Sequence, residues 1–155
     1  MTDAGTRGTR RGTTLGITLD QARAVIAGTL AAGHERGLNP LTVVVLDAGG
    51  HVTAVEREDG SSTKRFEIAH GKAHGAIAFG WGSRRTMGRA EDFAPFVTGV
   101  AVAIGALVPV PGGVLIRTAE GELLGAVGVS GDNSDNDEAA ALAGIESAGL
   151  VGQAD

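Results

Sequence analysis

The sequence predicts a mixed α/β (α+β) fold in which a central antiparallel sheet is flanked by helices. Two observations carry this expectation. Strand-like runs come in pairs joined by tight glycine turns, and each pair is bounded by segments of helical periodicity, in the order helix, hairpin, helix, irregular stretch, hairpin, helix. Hairpins make antiparallel neighbours, whereas a parallel sheet needs a crossover between successive strands.

The first helix is expected over about residues 18–36. Thr18 precedes LDQARAVIAGTLAAGHERG, Gln21 is placed to complete a capping box, and Gly37 with Asn39-Pro40 closes the segment. LTVVVLD, then Ala48-Gly49-Gly50, then HVTAVERED reads as a hairpin whose first strand ends at Asp47. Residues 61–82 are helical in pattern, with Ser61 or Ser62 as the cap. Residues 83–113 carry three of the four prolines and a basic patch (Arg84, Arg85, Arg89), and a short helix followed by a long loop to Pro111-Gly112-Gly113 is expected there. VLIRT, Ala119-Glu120-Gly121 and ELLGAVGVSG form a second hairpin, and Asp135 with Glu138 caps a last helix over about 135–149. The whole reads as a flexible N-terminal tail (1–16) and one domain (17–152).

Composition narrows the function classes. The chain has 155 residues and no cysteine, so disulfides, thiolate nucleophiles and cysteine-held metals are excluded. Arg7, Arg10 and Arg11 near the start are not followed by the apolar stretch of a secretory signal, and no run of about 18 apolar residues could span a bilayer. A cytoplasmic protein that engages no membrane is expected. A net charge of −5 opposes nucleic-acid binding. With 26 glycines against four Phe, one Trp and no Tyr, backbones must approach closely, in the core or around something bound.

Several constellations bear on chemistry. On a helical wheel His70, His74, Ile77 and Trp81 share a stripe within about 60°, with Phe66 at its edge and Ala69, Ala73, Ala76 and Gly80 beside it. His70 and His74 could share a metal ion, but a third ligand and the HExxH pattern are missing. Glu67, three residues before His70, could tune its basicity. Lys72 lies on the far side of the wheel, as a surface charge or as a group reaching a ligand carboxylate across an oligomer interface. GDNSDNDE fails as a calcium loop, because Asp137 stands where glycine is needed and Ala143 where glutamate is. Ser130 is not in a GxSxG elbow, and neither a Walker loop nor a dinucleotide fingerprint occurs.

Taken together, VVVLDAGGHVTAVEREDGSS, IAHGKAHGAIAFG, PGGVLIRTAEGELLGAVGVSG and NDEAAALAGIESAG resemble the GlcG/HbpS-like family, the haem-binding group related to the C-terminal domain of PduO-type proteins. The likeness runs from about Leu19 to Leu150 and rests on the order and spacing of the motifs. It implies a profilin-like three-layer sandwich, homo-oligomers (often octamers), and haem or corrinoid binding in several members. The family's motif positions fall on Leu46, Asp47 and Gly50; Lys72 and Ala73; Gly112 and Gly113; Ser130, Gly131, Asp137 and Glu138. Departures stand at Arg57-Glu58-Asp59-Gly60, Leu115 and Asp132, and the two helical histidines lie outside the family pattern.

Two functions follow as expectations. One is a homo-oligomeric binding protein for haem or a related tetrapyrrole, able to degrade it, with His74 as the axial ligand and Asp47, Lys72, Trp81, Gly112, Gly113, Ser130 and Glu138 lining the pocket. The other is an enzyme on a small organic acid, with His70 or His74 as acid/base tuned by Glu67, and Lys72 or an arginine holding the carboxylate.

Overall fold

The structure, a computed structural model, describes residues 12–155; residues 1–11, most of the expected N-terminal tail, lie outside the described residues. Helix α1 (Leu19–Glu35) begins as its sequence implies. Gln21 N donates to Thr18 Oγ1 at 3.1 Å, and Thr18 N donates to Gln21 Oε1 at 2.9 Å. Strands β1 (Thr42–Asp47) and β2 (Val52–Arg57) form the first hairpin, and β3 (Gly113–Arg117) and β4 (Leu123–Ser130) the second. Between them lie α2 (Arg65–Phe79), α3 (Ser83–Asp92) and α4 (Ala94–Ile104), and α5 (Ser134–Ser147) and β5 (Val151–Gln153) close the chain.

Four local expectations change. Residues 83–113 hold two helices, because Pro95 sits in the first turn of α4, where its missing N–H is not needed, and so starts a helix instead of breaking one. Helix α2 stops at Phe79 because Gly80 turns left-handed (φ 77°). Its N-terminus has no side-chain cap; Ser61 Oγ instead bonds Thr42 Oγ1 at 2.8 Å, and Ser62 Oγ accepts from Arg65 Nε at 3.1 Å. Asn133, not Asp135, caps α5, accepting from Asn136 N at 2.9 Å. The short β5 has no signature in the sequence; it exists because β3 offers it an edge.

All strand pairs are antiparallel, in the order β2-β1-β4-β3-β5. Alternate residues face opposite layers. Val43, Val45, Val114, Ile116, Val127 and Val129 pack under α1 and α5, whereas Val44, Leu46, Leu115 and Ala126 pack under Ala69, Ala73 and Ala76 of α2. The result is the expected sheet with helices on both faces. Small residues set the layer spacing: a Cβ on Gly128 would overlap the Ala69 carbonyl of α2, and one on Gly144 would overlap Thr29 of α1. Among the described residues no helix is long and apolar enough to cross a membrane.

Candidate functional site

The segments that carry the family resemblance converge on Lys72. Its side chain is 2% exposed, and Nζ donates to the Val129 carbonyl at 2.9 Å and to Asp137 Oδ2 at 3.1 Å. The other oxygen of Asp137 accepts from Asp132 N at 2.9 Å. Gly112 (φ 122°) passes so close that a Cβ there would lie 2.9 Å from the ammonium. Lys72 is therefore neither a surface charge nor free to hold a ligand carboxylate; its partner is a carboxylate of the same chain. The wheel places it opposite the histidines correctly but cannot show that β4 and α5 cover that flank. Burial pulls the Lys72 ammonium below its ordinary pKa against the pull of Asp137, and burial pushes the Asp137 carboxyl up against the pull of Lys72. Desolvation outweighs attraction for both.

Ser130, Glu138 and Gly113 are structural neighbours of this pair, whereas Asp47 lies at the other end of β1. Ser130 is buried and its Oγ accepts from Arg65 Nη1 at 3.1 Å. Glu138 is 8% exposed and accepts from Arg84 Nε at 3.0 Å, while Arg84 Nη2 reaches Asp135 at 2.6 Å, so Arg84 braces α3 against α5. Burial raises the Glu138 pKa despite Arg84. Gly113 is no wall of a pocket: a Cβ there would overlap the Lys72 carbonyl, which makes it the point where β3 passes against α2. Asp47 holds the β1–β2 turn, its Oδ1 accepting from Gly49 N at 2.9 Å and His51 N at 3.0 Å. Partial burial raises its pKa, but these two N–H groups and the His51 ring outweigh that and leave it lowered. A cleft of about 380 Å³ opens beside α5, lined by Met87, Pro111, Asn133, Ser134, Asp135 and Asn136. Sequence reasoning proposed none of these six.

The histidines form a separate constellation on α2. Phe66, His70 and His74 stack in a column, with ring centroids 5.7 Å and 5.5 Å apart. His74 Nδ1 lies 2.8 Å from the carbonyl of Ala106 in the loop after α4. A carbonyl can only accept, so Nδ1 carries a proton, and in the neutral ring the lone pair is then on Nε2. Nε2 and Ile77 face Gly50 at the tip of the β1–β2 turn. Burial, and then the neighbouring His74, lower the His70 pKa. Glu67 does not join them; it is exposed and pairs with Lys64 at 3.3 Å, one turn back along the helix. Trp81 also leaves the stripe. It lies beyond the left-handed Gly80, where the wheel no longer applies, and it stacks on Phe79 (4.8 Å) and donates to Thr86 Oγ1 at 3.1 Å.

Edge strand β2 adds exposed apolar side chains on the same face of the sheet. Val52 and Val55 pair with Leu46 and Val44, so they point to the α2 face of the sheet. Helix α2 lies over β4, β1 and β3 and leaves β2 largely uncovered, so Val52 stays 51% and Val55 37% exposed. Phe66, His70, His74 and Ile77 on one side and these valines on the other present an apolar surface with two imidazoles. Alternation alone would put Val52 and Val55 on opposite faces; the register shift opposite Val45 and Leu46 brings both to the α2 face, so the sequence carried no signal for it. Among the described residues no three His, Asp or Glu side chains cluster to hold a metal ion, so the two histidines form no protein-only metal site there.

Residues 17–146 match the model of a family described as haem degrading protein HbpS-like. No curated protein matches the chain. Among solved structures, a double mutant of Streptomyces reticuli HbpS superimposes with a TM-score of 0.74 at 25% identity, covering 94% of this chain and 96% of that one. A PduOC:heme complex is similar with a TM-score of 0.76 at 20% identity, covering 87% and 96%. The Klebsiella pneumoniae protein ORFY gives 0.76 at 22%, covering 90% and 95%.

Proposed function

Because the chain belongs to the family of haem-degrading HbpS-like proteins, we propose that it is a cytoplasmic, homo-oligomeric binding protein for haem or a related tetrapyrrole, held at the histidine face of α2. One observation carries the assignment to that face: the Ala106 carbonyl engages Nδ1 of the half-buried His74, which leaves Nε2 as the ring nitrogen that would face a ligand when the ring is neutral. The donor set fits the group. An imidazole nitrogen suits the metal, and Phe66, Ile77, Val52 and Val55 suit the macrocycle. HbpS and PduOC share the fold, and PduOC was solved with haem.

Bound there, the group supplies a redox-active metal and a conjugated chromophore. The chain's own part is to orient His74 through Ala106 and to exclude water with Phe66 and Ile77. The reading of an enzyme acting on an organic acid loses Lys72 as its carboxylate holder, since Lys72 is committed to Asp137, and loses the Glu67 partner of its base.

The test is a haem titration followed by absorption spectroscopy. The wild-type chain should give a saturable histidine-type spectrum, and His74→Ala should lose it while keeping its circular dichroism. A His74→Ala spectrum identical to wild type would remove this face from the site. Bleaching of the bound chromophore over time under reductant and oxygen, with release of iron, tests the degradation part of the reading.

A further inference from the structure

Among the described residues helix α4 is the least covered helix of the fold. Of its residues only Val97 is buried. Val102 is 83% exposed, Phe96 39%, and Phe93 at its entrance 61%. A continuous apolar helix face of this kind marks a contact surface. The flank beside it, on α3, carries Arg85 and Arg89 followed by Glu91 and Asp92, all exposed, and none of the four joins an ion pair among the described residues. Arg85 is held over Trp81 (4.6 Å) and Arg89 over Phe96 (5.5 Å), which fixes the cations at the margin of the apolar face.

We propose that the outer face of α4, with this charged flank of α3, is a two-fold contact with a second copy of the chain. The proposal rests on the homo-oligomer reading above and assigns it a surface. Charge selects the occupant. In a two-fold contact a patch meets itself, so it must carry both signs in balance, and two arginines against two acids do so. An anionic bilayer would instead meet two acids for every two cations and a chain of net charge −5. Gly99 agrees: a Cβ there would touch nothing within the chain, so the subunit's own packing does not require a glycine, whereas a second helix crossing at that point would.

Light scattering on the full-length chain tests this. Val102→Asp alters a side chain free of internal packing, so it should fold as wild type by circular dichroism yet need roughly tenfold or more higher concentration for half-assembly. Arg85→Glu with Arg89→Glu should weaken assembly, as should Glu91→Arg with Asp92→Arg, and mixing the two variants should restore it as a mixed oligomer. A wild-type monomer would overturn both this contact and the oligomer reading. A wild-type oligomer that Val102→Asp leaves unchanged in mass and dilution behaviour would overturn the contact alone. Flotation with phosphatidylglycerol vesicles that Val102→Asp abolishes would overturn the second copy as occupant.

Discussion

Lys72 and Asp137, 65 residues apart in sequence, meet as an ion pair at 3.1 Å in which the side chains are 2% and 1% exposed. The pair joins α2 to the start of α5 across the end of β4. A buried pair of this kind fixes register more than it adds stability, because desolvating two ions offsets most of their attraction. Removing one partner is different, since it strands a buried charge. Asp137→Ala should therefore cost about 3–5 kcal/mol in denaturant unfolding. Lys72→Met with Asp137→Asn, which leaves no charge and keeps an acceptor for Asp132 N, should recover most of that loss. A double variant as unstable as the single one would show that the ions themselves are needed.

The crossing of β3 and α2 admits no side chain at Gly113. Gly113→Val is expected to displace β3 from α2, because the new Cβ would overlap the Lys72 carbonyl. Even Gly113→Ala should lower the melting temperature clearly, by several degrees for a destabilisation of about 1–3 kcal/mol. Calorimetry showing wild-type stability for Gly113→Ala would contradict the close approach.

The histidine column should make stability pH-dependent with a definite sign. The His70 pKa is lowered from its ordinary 6.5 by burial and then by His74, so the unfolded chain binds the proton more readily. The contribution is complete above pH 6.5 and is lost as pH falls through the lowered value. His70→Phe keeps an aromatic ring stacked between Phe66 and position 74 and should flatten this acid-side slope. Unfolding midpoints compared between neutral and mildly acidic buffer measure it. An unchanged slope would place the proton uptake elsewhere.

The cap of α5 gives a sharper local check. Asn133→Ala removes the acceptor for Asn136 N and should cost about 0.5–2 kcal/mol. Asp135→Ala should cost less, since its carboxylate meets only the partly exposed Arg84. Equal losses in urea titrations would return the capping role to Asp135.

Much of the fold was legible because its signals are local. Thr18 and Gln21 form their capping box within one turn, and the hairpins at Ala48-Gly49-Gly50 and Ala119-Glu120-Gly121 need only a glycine turn between β-rich runs. Helix α4 was missed because proline at a helix start and proline in a loop look alike until the backbone direction is known. The site was legible in parts. His70 and His74 were placed on one face of α2 by spacing alone, and they stack there. Trp81 was misplaced because a wheel continues past Gly80 while the chain does not.

By itself the sequence determined the two hairpins, the helices other than α4, their order, the antiparallel pairing within each hairpin and the family, since these follow from periodicity, turn chemistry and motif spacing. Only the tertiary structure decided what each face of α2 meets. It buried Lys72 against Asp137, turned Asp47, Gly113 and Ser130 into scaffold, and fixed His74 by a carbonyl 32 residues away. The physical reason is that a helical wheel assigns directions, whereas burial, tautomer and charge pairing depend on which distant segment arrives in each direction.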